Sequence, residues 1–78
     1  MWKQENNKLK RTIEFDDFVS AFGFMTQVAI IAERMNHHPN WSNSYNKVSF
    51  ELCTHDVGGK VTERDRELAA AIDKILAG

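Results

Sequence analysis

The sequence predicts a two-layer α+β domain in which a four-stranded antiparallel sheet packs against two helices. Apolar and polar residues alternate over positions 8–15, and apolar residues recur at helical spacing over 17–37. A second pair of strand-like segments and a second amphipathic stretch follow. The order strand, strand, helix, strand, strand, helix is typical of a segregated α+β domain. At 78 residues we expect a single domain, 1–78.

The N-terminal part of the chain predicts two strands. A short strand is expected over Trp2–Gln4, and 5–7 (Glu-Asn-Asn) is turn material. From Lys8 to Phe15 the side chains alternate, with the apolar parity formed by Leu9, Ile13 and Phe15. This pattern indicates a half-buried strand.

A long helix is predicted from about Asp17 to His37. Asp16 and Asp17 are N-cap candidates, and Pro39 disfavours helical geometry at the preceding residue. One face carries an apolar stripe of Phe18, Ala21, Phe22, Met25, Val28, Ala29, Ala32 and Met35. Outside it lie further apolar residues, namely Val19, Phe24 and Ile31. Either the helix is deeply covered in the core, or it also contacts another subunit.

The C-terminal half predicts a hairpin and a closing helix. The hairpin arms are Trp41–Tyr45 and Val48–Thr54, joined around Asn46 and Lys47. A flexible glycine loop is expected over 57–60, and residues 62–65 (Thr-Glu-Arg-Asp) resemble a helix capping box. The apolar stripe of the closing helix consists of Leu68, Ile72, Ile75 and Leu76.

Composition narrows the functional classes. The net charge is −1, and the basic residues are scattered apart from Lys8, Lys10 and Arg11, so no direct nucleic-acid binding is expected. We see no signal peptide and no apolar run of membrane-spanning length, and expect no membrane partner. Cys53 is the single cysteine, which suits a reducing, cytoplasmic location. Because so short a chain has a small core and no disulfide, a metal or a subunit interface is expected to stabilise it.

Three histidines, His37, His38 and His55, suggest acid–base chemistry. Glu33 lies four residues before His37, so on a helix the carboxylate can hydrogen-bond one ring nitrogen and make the other more basic. His55 ends a strand just before a glycine loop, where side chains often line a pocket.

Each of these features has an alternative interpretation. The histidines are also a candidate metal site, but adjacent histidines do not match helical zinc-ligand spacing and no HExxH motif is present. His55 taken alone is compatible with simple solvation. We interpret Trp41 and Tyr45 as hairpin packing, and Cys53 as a bystander rather than a nucleophile. The residues alone thus predict a histidine-lined pocket and no particular substrate.

The sequence also resembles a known family, the pterin-4a-carbinolamine dehydratases. In animals the family is also called the dimerisation cofactor of hepatocyte nuclear factor. Its signature is an acidic residue, three residues, His-His-Pro, a downstream aromatic, a third His and an Asp. The matching segments are Phe22–Thr26, Glu33–Trp41, Tyr45–Val48, Thr54–His55 and Thr62–Asp65. Family members usually have a further, often helical, segment before the position of Trp2, and the loop from His55 to Asp65 is about one residue longer here than in animal members.

The resemblance implies a hydro-lyase that dehydrates 4a-hydroxytetrahydrobiopterin to quinonoid dihydropterin in tetrahydrobiopterin recycling, with no metal and no cofactor. Glu33 would orient His37, and Asp65 would support the site from behind. The implied catalytic residues are His37, His38 and His55. The implied substrate-binding residues are Glu33, His37, His38, Pro39, Thr54, His55 and Asp56.

Assembly and two other functions follow from the same sequence. We expect a homodimer or homotetramer with the long helices packed across a two-fold axis, which Phe24→Glu should dissociate. The first alternative function is a protein-interaction module, such as a transcriptional coactivator that promotes dimerisation. The second is a related pterin enzyme of molybdopterin metabolism.

Overall fold

The computed structural model describes residues 1–78 and has the predicted α+β architecture. Along the chain the elements are β1 (Lys3–Glu5), β2 (Lys8–Glu14), α1 (Phe18–Met35), β3 (Asn40–Ser44), β4 (Lys47–Leu52) and α2 (Glu63–Ala77), with a 3-10 turn at His55–Val57 before α2. The sheet order is β1-β2-β4-β3, and every neighbouring pair is antiparallel. The predicted fold class is therefore confirmed.

The central strands bury one face of the sheet. Leu9 lies opposite Leu52 and Ile13 opposite Val48, so the apolar parities of β2 and β4 face the same side. Because successive side chains point to opposite faces of a strand, the other face is polar and open. The helices cover only the apolar face, and the buried core consists of Leu9, Ala21, Phe24, Val28, Ala32, Val48, Phe50, Leu52, Leu68, Ala69 and Ile72.

Tight turns set the strand boundaries. Asn6 and Asn7 both have positive φ, 51° and 63°, which asparagine tolerates better than most residues. The β3–β4 turn lies at Tyr45 and Asn46, one residue earlier than predicted, because Lys47 already belongs to β4. The amide of Asn43 stabilises this turn by donating to the carbonyls of Tyr45 and Lys47, at 3.0 and 2.9 Å.

Helix α1 begins and ends at capped residues. Asp17 accepts a hydrogen bond from the backbone N–H of Ser20 at 2.7 Å, as expected for an N-cap. The hydrogen bond also lowers the pKa of Asp17 below its usual value. At the other end Asn36 adopts the left-handed conformation, φ 52°, and donates its N–H to Ala32 and Glu33. The helix therefore stops at Met35, two residues before the predicted end.

The face of α1 that packs on the sheet differs from the prediction. Phe24 is 4% exposed and its ring lies 4.9 Å from that of Phe15, so it belongs to the core. Ile31 is half-buried against the same core. Val19 is exposed, as predicted, but Phe18 and Phe22 of the predicted stripe are exposed as well, together with Ile30. The face that packs on the sheet is the one with Ala21, Phe24, Val28 and Ala32. The proposed role of Phe24 in a subunit contact is therefore wrong.

The sequence indicated no apolar run of membrane-spanning length, but helix α1 is one. It has 18 residues and a mean hydropathy of 1.2, so by length and composition alone it is able to cross a membrane. A core helix of a soluble protein passes the same test, and here Val28 and Phe24 of α1 lie in the core.

Helix α2 closes the domain over the same sheet face. Leu68 and Ile72 are fully buried, as the predicted stripe requires. Near its C-terminal end, Asp73 accepts hydrogen bonds from the indole of Trp2 at 2.8 Å and from Arg11 at 2.7 Å. These contacts attach the N-terminal edge of the sheet to α2.

Backbone hydrogen bonds close the loop before α2. Thr54 donates its backbone N–H to the carbonyl of Lys60 at 2.8 Å, which closes the loop into a ring. Gly58 and Gly59 have φ of 78° and 75°, in the left-handed region that glycine adopts without steric cost. The loop thereby holds His55 at a defined position beside the end of β4.

Candidate functional site

One cavity brings together the end of α1, the end of β4 and the start of α2. It has a volume of about 530 Å³, including its open mouth. Its lining consists of His37, His38, Cys53, Thr54, His55, Asp56 and Arg64. The three histidines of the chain, far apart in sequence, thus share one pocket, as the sequence analysis predicted.

His37 is held by a buried carboxylate. Its Nε2 lies 2.6 Å from Oδ1 of Asp65, and the two residues are 7% and 0% exposed. The second carboxylate oxygen, Oδ2, accepts hydrogen bonds from the Thr54 hydroxyl and the Thr62 backbone N–H, both at 2.8 Å. The Thr62 contact belongs to the predicted capping box, so the start of α2 and the site depend on the same carboxylate.

These contacts determine the charge of Asp65. Burial raises the pKa of the carboxyl, but hydrogen bonds from His37, the Thr62 backbone and Thr54 lower it more, so the pKa lies below its usual value of 3.8. Asp65 is therefore ionised near neutral pH and only accepts hydrogen bonds. As a result Nε2 of His37 carries a proton, and Nδ1 is left for contact with a bound molecule.

Glu33 contacts a different histidine from the one expected. Its Oε1 lies 2.9 Å from Nε2 of His38, whereas His37 turns inward to Asp65. The prediction assumed that helical spacing continues to residue 37. The left-handed Asn36 ends the helix before that point and reverses which histidine faces Glu33. The Glu33–His38 pair is exposed, so it contributes little to stability.

The remaining predicted residues lie at different distances from the cavity. Thr54 is buried in its wall, and His55 and Asp56 lie on the exposed 3-10 turn at its edge. Pro39 is half-buried and, like Glu33, is not part of the lining.

Two lining residues, Cys53 and Arg64, were not predicted. Cys53 shares the parity of the outward-facing Ser49 and Glu51, but β4 ends at Leu52 and the alternation stops there, so the thiol is buried. Arg64 directly precedes Asp65 and lies in the Thr62–Asp65 segment that matches the family, and these were the sequence signals for its place in the site.

The arrangement is suited to proton transfer. Imidazoles at three positions around one cavity are able to donate and accept protons near neutral pH. In this structure no group of three or more His, Cys, Asp or Glu side chains lies close enough together to hold a metal ion. A second cavity, on the open face of the sheet, is lined by Asn40, Trp41, Ser42, Ser49 and Glu51 and contains no histidine.

Comparison with known proteins decides the family. The sequence model described as pterin 4 alpha carbinolamine dehydratase matches residues 1–75. The chain belongs to this family. The resemblance noted from the sequence is thereby confirmed, and it extends over all three histidines and Asp65.

Curated relatives and solved structures agree with this assignment. A Synechococcus protein named putative pterin-4-alpha-carbinolamine dehydratase is 55% identical over 95% of this chain and 78% of its own length. One of the same name from Solibacter usitatus is 52% identical over 99% of this chain and 80% of its own. The Brucella melitensis crystal structure of a transcriptional coactivator/pterin dehydratase has a TM-score of 0.89 and 42% identity, covering 95% of this chain and 80% of that one.

A more distant structure shares the fold. It is a pterin dehydratase-like protein identified as a RuBisCO assembly factor in the alpha-carboxysome, with 21% identity and a TM-score of 0.76, covering 96% of this chain and 86% of that one.

Proposed function

We propose that this protein is a hydro-lyase that converts pterin-4a-carbinolamine to quinonoid dihydropterin by histidine-based acid–base catalysis. The observation that carries the proposal is the convergence of His37, His38 and His55 on one cavity, with His37 fixed by the ionised Asp65. Membership of the dehydratase family supplies the substrate class.

The reaction requires two proton transfers. A proton is delivered to the hydroxyl on C4a as the C–O bond breaks and water leaves. A second proton is removed from N5, and the electron pair of the N–H bond forms the new double bond between N5 and C4a. Neutral and protonated imidazoles are able to perform these steps at the same pH.

Among the three histidines, His37 is the one whose orientation is fixed by a buried carboxylate, that of Asp65. Because the carboxylate holds the proton on Nε2, the Nδ1 atom is available as an acceptor. His38 and His55 are less constrained, with His38 paired only to the exposed Glu33. We expect the reaction to need neither a metal nor an organic cofactor, because the substrate already holds the bond that breaks.

The direct test is a dehydration assay. An aromatic amino acid hydroxylase generates the hydroxylated tetrahydropterin in place, and formation of the quinonoid product is followed with and without this protein. We expect the protein to accelerate product formation well above the spontaneous rate. A rate equal to the spontaneous one, with folded protein in excess, would contradict the proposal. We propose that this activity serves tetrahydrobiopterin recycling in the cytoplasm.

We further propose that the protein forms a homodimer or homotetramer through α1. Val19 is 77% exposed and Ile30 56%, and the rings of Phe18 and Phe22 lie 5.7 Å apart on the same exposed side. An apolar surface of this kind is unusual on a small soluble monomer and typical of an interface. The same surface supports a protein-interaction role as a second candidate function.

A further inference from the structure

Arg64 contacts both segments that carry the pocket histidines. Its Nη2 donates a hydrogen bond to the backbone carbonyl of Asn36 at 2.7 Å, directly before His37 and His38. Its Nη1 lies 3.6 Å from Oδ2 of Asp56, directly after His55. Arg64 itself lines the cavity. A single guanidinium thus lies between the two walls of the site.

The contact with Asn36 holds the residue at which α1 ends. Asn36 is in the left-handed conformation, with φ 52° and ψ 41°, and this residue decides where the chain directs the next two side chains. A charged donor at 2.7 Å is a strong hydrogen bond for a backbone carbonyl. Together with the Asp65–His37 contact, it attaches the histidine pair to the start of α2 at two points.

The contact with Asp56 acts on the opposite wall. At 3.6 Å and on exposed side chains it contributes little to stability. Its consequence is geometric, because it connects the 3-10 turn that carries His55 to the start of α2. A guanidinium is planar and has five N–H donors, so it serves two acceptors at once, whereas a lysine ammonium is a point charge on a flexible stem.

We propose that Arg64 is a positioning residue that sets the separation between the His37–His38 segment and His55. This inference rests on the proposed dehydratase function and adds to it a residue that acts through the histidines. Because acid–base catalysis depends on the placement of proton donors and acceptors, loss of Arg64 should affect turnover more than substrate binding.

The test compares Arg64→Gln with Arg66→Gln. Arg66 lies on the same helix, and its one side-chain contact is with Glu63 at 3.5 Å, on the exposed surface, so it is a matched control. We expect Arg64→Gln to lower kcat about 10- to 100-fold, the scale of a misplaced catalytic group, with a smaller change in KM. Arg66→Gln should leave both unchanged. Wild-type kcat in Arg64→Gln would overturn the proposal.

Two further variants test whether a loss of kcat comes from misfolding and whether Arg64 acts by contacting both Asn36 and Asp56. Arg64→Lys keeps the charge and the helix but lacks the planar pair of nitrogens that contact Asn36 and Asp56, so its kcat should also fall. Full activity in Arg64→Lys would overturn the bridging role. A double-mutant cycle compares Arg64→Gln, Asp56→Asn and the variant that carries both. The fold-loss of kcat in the double variant should be smaller than the product of the fold-losses in the two single variants. Strict multiplication of the two would also overturn the bridging role.

A spectroscopic readout separates this inference from the proposed function. In ¹H–¹⁵N spectra, Arg64→Gln should shift the imidazole signals on both sides of the cavity, those of His37 or His38 and that of His55, while Arg66→Gln leaves them in place. If wild-type protein fails the dehydration assay but these shifts occur, the dehydratase proposal fails and the positioning role stands. If wild-type protein is active and the shifts are absent, the positioning role fails alone.

Discussion

The pairing of His37 with Asp65 shows how one residue serves structure and chemistry together. Asp65 closes the capping box of α2, accepts from Thr54 on β4's extension and fixes a pocket histidine. Both of its carboxylate oxygens have buried or half-buried hydrogen-bond partners, and no buried polar side-chain atom in the structure lacks a partner. A satisfied buried network of this kind is rigid, so His37 has a defined orientation before substrate arrives.

At this scale the first prediction concerns the histidines. His37→Ala and His55→Ala should each lower the dehydration rate by about two to four orders of magnitude, because each removes a proton donor or acceptor. The spontaneous reaction sets the lowest measurable rate. Ser42→Ala, on the open face of the sheet, is the control and should keep wild-type activity. Near-normal turnover in both histidine variants, with the fold intact by circular dichroism, would contradict the catalytic assignment.

The second prediction concerns the pH dependence of stability. The pKa of Asp65 is lower in the folded protein than its ordinary value of 3.8. The ionised carboxylate therefore stabilises the folded state above pH 3.8, and this stabilisation is lost as the pH falls through the lower folded-state pKa. Urea unfolding over a pH series should show a steeper acid loss in wild type than in Asp65→Asn.

Asp17 has a lowered pKa as well, so it contributes in the same acid range. Because Asp65→Asn leaves Asp17 unchanged, the difference between the two unfolding curves isolates Asp65. Parallel curves for wild type and Asp65→Asn would show that the His37 contact does not depend on the charge of the carboxylate.

Among the elements, α1 carries two apolar faces with different roles. The face with Ala21 and Val28 lies on the sheet, and the face with Val19 and Ile30 is open in the single chain. Hydrophobic spacing alone does not distinguish them, because both repeat at helical period. Contact with the sheet decides which of the two faces is buried, and it is the one that also includes Phe24.

The third prediction follows from these two faces. Phe22→Glu places a charge on the open face and should dissociate the proposed oligomer without unfolding the monomer. Phe24→Ala instead removes a buried ring and should destabilise the fold by about 3–5 kcal/mol, the usual cost of such a deletion. Sedimentation velocity and thermal unfolding measure the two effects. A wild-type mass equal to one chain at all concentrations would show that the open face forms no interface.

For the whole molecule, the fourth prediction is that catalysis does not require a metal. If the histidines act as proton carriers, exhaustive chelation should leave the dehydration rate unchanged. Protein purified without a histidine tag is required, since a tag binds zinc itself. Stoichiometric zinc in the purified protein, with activity lost on its removal and regained on its return, would contradict the prediction.

Local patterns determined most of the architecture. The alternation in β2, the helical spacing in α1, the Asp17 cap and the Thr62–Asp65 capping box all depend on residues close in sequence, and each is present in the structure. The family signature, also linear, grouped the three histidines with Asp65, and in the structure the histidines line one cavity while Asp65 contacts His37.

Contacts between distant residues decided the rest. Whether Glu33 reaches His37 or His38 depends on the backbone conformation of Asn36, and which face of α1 is buried depends on the shape of the sheet. Arg64 joins the site only because α2 begins beside the end of α1. Local propensities act over a few residues. The partner of Glu33, the buried face of α1 and the contacts of Arg64 depend instead on packing between elements, because a small rotation of a helix or an earlier helix end changes which side chains meet.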